Sequence, residues 1–494
     1  MILAIIGFAL LMFRHVLVPD YCLFSTDDNI GASRQGKDCL PGLFQGSWSD
    51  SVYLGIPGGI ATLTWSALLI RLTSARLYVN WGHAFDLALA SWFLSLFLRE
   101  RKVGWGAIGL GFLTAFWLGS NLTLTYAGHL GKYGVVLMAS VALYSLSRAL
   151  SRQTSILWGI LTGGAIGFMF FEQLDVALFF GFVLGAYALF LAIRQWQTNG
   201  TWVKSMVALI LMVGVGVLLA FSTMLGSYAS NVKGTVSMQA ESPQAKWEFA
   251  TQWSWPPDEC IDFIAPGYMG WRSGELEGPY WGRMGRSAGW EQTRQGFMNF
   301  KLENMYLGII PILLALFAIF SVLARGKYGG SGVMECRSKS VNGEKDNEVR
   351  SYTDTPTHPH SHTPILPYST TLNRAEILFW GCVAVITLLL AFGKFFPLYA
   401  LFYKLPFIDS IRNPNKFLQV FQLALGILTA YGLDGMLREA DRGRTSNARP
   451  SYARALWRAS DGLPCDVSAV APTSRRVGAK GEALAKQGRQ KTIP

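Results

Sequence analysis

Apolar residues along this chain come in runs of about 18–20, separated by short polar or charged turns, over most of residues 1–436. Runs of that length match the hydrocarbon thickness of a bilayer, and only backbones whose hydrogen bonds close internally survive there. The pattern predicts an all-α, polytopic bundle of roughly ten spans. They fall near 2–18, 77–98, 104–120, 133–150, 155–171, 175–193, 205–226, 304–324, 376–393 and 416–436. The first run lacks a basic start and a small-residue cleavage site, so it reads as a retained helix with Arg14 and His15 snorkelling at its end.

One segment decides the topology. Residues 51–76 are apolar enough to resemble a span, but they open on GIPGG and carry Arg71 and Arg76. Counted as a span, the segment would invert every later loop. Read as an interfacial helix with Leu63, Ala67 and Ile70 on one face, it makes the basic loops agree on one side. Arg99–Lys102, Arg148/Arg152, Arg194/Lys204 and Arg325/Lys327 then face the cytoplasm, as do both termini. Asp27, Asp28, His129, Glu172, Asp175, Asp258, Glu259 and Arg412 gather on the outer side.

The organisation that follows is a transmembrane core over 1–324 with outer loops at 19–76 and 227–303. A cytoplasmic loop over 325–375, rich in Ser, Thr, Gly and charge, is expected to be disordered. The last two spans occupy 376–436. The basic 437–494 segment lacks apolar periodicity and is expected to be a disordered tail or the end of an incomplete reading frame.

Composition adds little beyond class. Apolar residues make up 51% and charged residues 15%, with a mean hydropathy of +0.29, as membrane residence requires. Much of the +12 net charge lies in the tail and short loops, so it reads as contact with anionic lipid rather than nucleic acid. The six cysteines include no CxxC pair, which argues against structural zinc. Cys22 and Cys39 share an outer loop, and both a disulfide and two free thiols fit their spacing.

Several motifs carry candidate chemistry. FSTDDNIG (24–31) sets Asp27 and Asp28 side by side, fitting a divalent-cation site for Mg or Mn or a general base, and equally a solvated Asx turn. NLTLTYAGHLGK (121–132) permits a tight turn that presents His129 and Lys132 to a phosphate, or to lipid headgroups. His83 and Asp86 lie one turn apart within the second span, as a structural or proton-linked pair. Glu172 and Asp175 bracket a turn between spans. The loop 227–303 holds Trp247, Trp253, Trp255, Trp271, Trp281 and Trp290, whose faces suit sugar stacking or the lipid interface. Its WPPDECIDFIAPGYMG run (255–270) contains Glu259 and implies a fixed fold. Arg412, in PFIDSIRNPNK (406–416), can grip a phosphate or anchor to headgroups. HPHSH (358–362) is a weak metal motif in a loop expected to lack structure.

FSTDD after the first span, GHLGK, PPDE followed by PGYMG, GKFFPLY, and RNPNKF leading to YGLD at 431–434 together resemble the bacterial YfhO-type membrane protein family. That family is related to the GT-C glycosyltransferases. The resemblance covers residues 1–436 apart from 325–375. It implies a GT-C-like bundle in the bacterial cytoplasmic membrane, a catalytic acid in the first outer loop, and a polyprenyl-phosphate sugar as donor to an envelope glycan or lipid acceptor. By position, Asp27 and Asp28 match the acidic motif. His129, Lys132, Glu172, Asp175, Glu259 and Arg412 are the substrate-binding candidates. Family members usually continue into further helices and an outer soluble domain, where this chain has its basic tail. A transporter or lipid flippase, favoured by His83 and Asp86, and a non-catalytic assembly protein are the alternatives.

Overall fold

A computed structural model describes residues 2–18, 21–23, 47–49, 56–58, 64–119, 121, 129–150, 156–199, 202–227, 242–274, 276–302, 304–328, 368–406 and 408–447. The chain divides into two units, Met1–Arg438 and Glu439–Pro494. Of the second, only the helical residues 439–447 are described. The 325–375 loop beyond Tyr328 and before Tyr368, and the tail beyond Asn447, lie outside the described residues.

The helices fall where the apolar runs are. In order they are α1 (Ile2–Met12), α2 (Trp65–Leu72), α3 (Ala75–Glu100), α4 (Trp105–Phe116), α5 (Gly131–Ala149), α6 (Ile156–Glu172) and α7 (Leu174–Asn199). There follow α8 (Trp202–Ser227), α9 (Pro243–Ala250), α10 (Trp290–Thr293), α11 (Ile309–Tyr328), α12 (Tyr368–Ala391), α13 (Pro397–Tyr403) and α14 (Phe417–Asn447). Five stretches are long and apolar enough to cross a membrane: Ala75–Glu100, Leu174–Gln197, Val203–Phe221, Asn373–Ala391 and Pro414–Asp441. Trp105–Phe116, Ile156–Glu172 and Ile309–Ala324 are shorter apolar helices. The architecture is that of a multi-pass helical membrane protein.

Three local features differ from the sequence reading. The first helix is shorter than its apolar run and passes through Phe13 into a 3-10 turn, Arg14–Leu17. A two-stranded antiparallel ribbon, β1 (Ser47–Ser49) and β2 (Ile56–Gly58), sits in the otherwise helical chain. The interfacial segment does form a helix, α2, capped by Thr64 accepting from Ala67 N at 2.9 Å. It buries Ile70, one of the three residues expected on its apolar face, together with Ser66, which was not; Ala67 is half-buried and Leu63 lies outside the described residues.

Small residues let helices approach where lipid supplies no hydrophobic drive. Gly159, Gly163 and Gly167 repeat every fourth residue along α6, and a Cβ at Gly163 would meet Met212 O of α8 at 2.6 Å. Gly111 of α4 and Gly426 of α14 abut reciprocally, each facing the other's carbonyl.

Polar contacts lock the bundle at the end where α3 stops. Arg101, read from sequence as part of a basic cytoplasmic cluster, is only 6% exposed. Its Nε lies 3.1 Å from both Glu376 oxygens, and its Nη2 is 3.0 Å from Oε1. Tyr187 and Tyr431 donate to the same carboxylate at 2.6 and 2.5 Å, and Arg101 donates to Ser147 Oγ at 2.7 Å. Glu100 stands 3.5 Å from Arg101 and pairs with Arg148 at 3.1 Å.

Removing one partner of a buried pair strands the other charge, whereas removing both does not. Glu376→Ala therefore lowers stability by roughly 3–5 kcal/mol. Arg101→Met combined with Glu376→Leu recovers most of that loss. Thermal unfolding of the purified chain in nanodiscs measures both, and a single variant as stable as wild type would remove this clasp from the account.

Candidate functional site

At the opposite end of the same helices, polar side chains from several elements meet. Glu172 closes α6 and Asp175 opens α7. Glu172 accepts from Ser66 N at 2.8 Å and Ser66 Oγ at 2.6 Å, so it holds the first turn of α2. The approach depends on glycine. A Cβ at Gly134 would meet Glu172 Cδ at 2.7 Å, and one at Gly131 would meet its carbonyl at 3.1 Å. Trp65, beside Ser66, donates its indole N–H to Asp86 Oδ1 at 2.8 Å. Asp86, buried on α3, and the half-buried Glu172 of α6 thus seat α2.

Asp175 pairs with Lys416 at the entry to α14 and accepts from its own helix at Val176 N, 2.7 Å. Lys132, 3% exposed in the first turn of α5, acts electrostatically on Asp175 as well. Its amide donates to the carbonyl of His129, at 3.1 Å, which forms the turn into α5. The RNPNK run is braced by Asn413 N to Ala250 O (3.0 Å) and Asn415 N to Trp253 O (3.1 Å). Asn413 takes φ of 73°, which asparagine tolerates better than most residues. Arg412 lies over the Phe249 ring, 4.8 Å from its centroid, and adds its charge to the field at Lys416.

Between these elements is a small pocket lined by Lys132, Trp255, Met284, Met305, Asn415, Lys416, Leu418 and Gln419. The Oδ1 of Asn415 and Oε1 of Gln419 have no hydrogen-bond partner among the described residues, and Gln419 is 6% exposed. Buried polar atoms of this kind await a donor from water or a ligand.

The sequence candidates therefore separate. Lys132, Glu172 and Asp175 come together, with Asp86 beneath them and Arg412 at the edge. His83 is buried next to Phe13 and Tyr133, at ring distances of 4.5 and 5.7 Å, as a packing residue. Asp27 and Asp28, and Cys39 with its proposed pairing to Cys22, lie outside the described residues. Among the described residues no group of three His, Cys, Asp or Glu side chains is placed to share a metal ion. Trp65, Ser66, Lys416 and Gln419 belong to the site without having been singled out. Lys416 stood within the RNPNK run, where Arg412 was the charge picked out.

Glu259 lies behind the pocket wall. Fully buried, it accepts from Tyr280 OH at 2.7 Å and Arg283 N at 2.8 Å. Lys301 Nζ is 2.5 Å from Asp262 and 3.8 Å from Glu259, and sits 5.1 Å from the centre of the Trp255 ring. Burial holds the Glu259 carboxyl above its usual range, against the opposing bonds from Tyr280 and Arg283. The same burial pushes the neighbouring Cys260 thiol up to about 11, which keeps it protonated and unreactive. Exposed Asp258, paired with Arg283, is held below the usual carboxylate range.

Comparison with protein-family models, curated proteins and solved structures finds no match to this chain.

A raised carboxyl pKa means that the folded loop holds the Glu259 proton more tightly than the unfolded chain. Its stabilising share is complete below 4.5 and is lost as pH rises through the folded value. Glu259→Gln keeps the acceptor for Tyr280 and Arg283 and removes that loss. The variant's Tm, relative to wild type, should rise as the pH climbs above 4.5 toward the raised value of the folded carboxyl. Thermal scans in nanodiscs across this range check it; a variant uniformly less stable at every pH would show that the ionised carboxylate is needed.

Proposed function

We propose that this protein is a membrane glycosyltransferase that moves a sugar from a polyprenyl-phosphate donor to an envelope glycan or lipid acceptor, at the outer face of the bacterial cytoplasmic membrane. The observation that carries the reading is the meeting of Lys132 and Lys416 at one pocket, with Lys132 in the helical turn that faces Glu172, the residue holding α2. A phosphate on a lipid tail needs cations at the depth of the headgroups and an apolar path for its chain. The exposed Leu68 and Leu72 of α2 fit such a path. In this reading the bundle has about ten spans, including the shorter apolar helices, and both termini are cytoplasmic.

The chemistry follows from charge. A carboxylate of Asp27 or Asp28 takes the proton of the acceptor hydroxyl, whose oxygen then bonds to the anomeric carbon. The bond from that carbon to the phosphate oxygen breaks, and its electron pair leaves with the polyprenyl phosphate. Negative charge grows on the departing phosphate, and Lys132 and Lys416, with Arg412 adding to the field, stabilise it there. Asp175 holds Lys416 in place before the donor arrives. Gln419 and Asn415 offer amide groups to hydroxyls at the same pocket.

A second reading, a carrier that moves its lipid substrate without cleaving it, draws on the buried Asp86 and the half-buried Glu172 that hold α2.

Membranes expressing the full chain, supplied with radiolabelled polyprenyl-phosphate sugars, should transfer label to an acceptor. Asp27→Asn with Asp28→Asn abolishes transfer. Lys132→Gln lowers the rate on the order of 10²-fold, the usual effect of losing one group that stabilises developing charge. Absence of transfer from every donor, with the chain correctly inserted, would overturn the enzyme reading in favour of the carrier.

A further inference from the structure

Tyr268, Trp271 and Trp281 of the large loop take no part in the site above. The carbonyl of Phe263 accepts from Leu307 N at 3.0 Å and Gly308 N at 3.1 Å, which sets the end of the 3-10 turn Pro257–Phe263 against the start of α11. The chain then makes an excursion over 264–281, closed at its base by Trp271 N to Gly278 O (2.9 Å) and Trp281 N to Met269 O (3.1 Å). Met269 turns inward, but four of the excursion's large apolar side chains stay uncovered: Tyr268 is 56% exposed, Trp271 48%, Leu276 95% and Trp281 61%. They are nonetheless fixed. The Tyr268 and Trp281 rings are 5.9 Å apart, and the Trp271 indole lies so close to Gly267 and Gly278 that a Cβ there would approach to 2.7 and 2.5 Å.

What covers these rings follows from the helix that starts at the base of the excursion. Ile309, Ile310, Leu313 and Phe320 leave an exposed apolar stripe along α11. The apolar part of that helix, Ile309–Ala324, is short. At 1.5 Å per residue it spans about 24 Å against a hydrocarbon core of about 30 Å. A short span draws flanking groups into the interface, and Tyr and Trp are the residues that reside there. Aliphatic Leu276 at the tip also favours lipid, since a glycan would gain nothing from it.

We propose that the excursion 264–281 is a membrane-interface anchor beside the start of α11, with Tyr268, Trp271 and Trp281 at the boundary of headgroups and acyl chains and phospholipid as its partner. This surface does not rest on the glycosyltransferase reading.

The test uses the full chain labelled with 5-fluorotryptophan in phospholipid nanodiscs. Trp271→Phe, Trp281→Phe and Trp290→Phe assign three fluorine signals; Trp290, flanked by Arg286 and Arg294, is the aqueous reference. A lipid spin-labelled near its headgroup should broaden the Trp271 and Trp281 signals severalfold more than that of Trp290, and a soluble gadolinium chelate should do the reverse. Leu276→Asp, at a tip that no packing holds, should reduce the lipid-induced broadening. Signals of Trp271 and Trp281 that respond only to the aqueous agent, or that shift on addition of soluble glycan, overturn the proposal. So does Leu276→Asp with broadening unchanged.

Discussion

The buried pair of Arg101 and Glu376 sets the geometry of everything else. A guanidinium and a carboxylate taken out of water are costly unless every lone pair and N–H finds a partner. Here the partners come from separate helices: Ser147 of α5, Tyr187 of α7, Tyr431 of α14, with Arg101 following α3 and Glu376 in α12. The pair joins segments 275 residues apart, across the stretch between α11 and α12. Because a half-satisfied network would be worse than none, it fixes the axial position of each helix and not only its presence.

That register carries to the far end. From Ser147 back to Lys132 is 15 residues of α5, about 22 Å at the helical rise. From Tyr187 back to Asp175 is 12 residues of α7, about 18 Å, and from Tyr431 back to Lys416 is 15 residues, about 22 Å. All three helices run from the site toward the clasp, so their N-termini lie together. Aligned N–H groups and helix dipoles there favour negative charge. The same end is where Lys132 and Lys416 stand. Asp175, in the first turn of α7, occupies a place in that field that an anionic ligand would share.

The helical bundle was legible because its signal is length: a run of 18–20 apolar residues needs no tertiary context to be read. Glu172 and Asp175 were legible for a related reason, since charges caught between two such runs have few places to go. What failed was any inference that needed a partner. Arg101 looked like loop charge because Glu376 is remote in sequence. Ser66, in a segment read by its apolar face, turns inward because Glu172, 106 residues later, accepts both its N–H and its hydroxyl. The short ribbon in the first loop was hidden by its Ser, Gly and Pro content. Glu259 was legible as a charge on the correct loop but not as part of a buried triad, because nothing local signals that Asp262 and Lys301 close around it.

The large loop belongs to the site and is not an appendage to it. Residues 250–255 are pinned on two sides: Trp255 N donates to Ala391 O at the end of α12 (2.9 Å), and Ser254 Oγ accepts from Lys394 N (3.0 Å). On the other side Ala250 and Trp253 hold the backbone of Asn413 and Asn415, which lead into Lys416. The loop thereby sets where α14 begins. Behind Trp255, one ammonium, Lys301, faces two carboxylates, Asp262 and Glu259, an imbalance that burial eases by favouring the protonated acid. The pocket accordingly has one wall of membrane helices, bearing Lys132 and Gln419, and one wall of folded loop, bearing Trp255, Met284 and Met305. A molecule that is lipid at one end and water-soluble at the other meets in such a pocket a matching division of surfaces, and this is the physical reason to look for its ligand among lipid-linked anions.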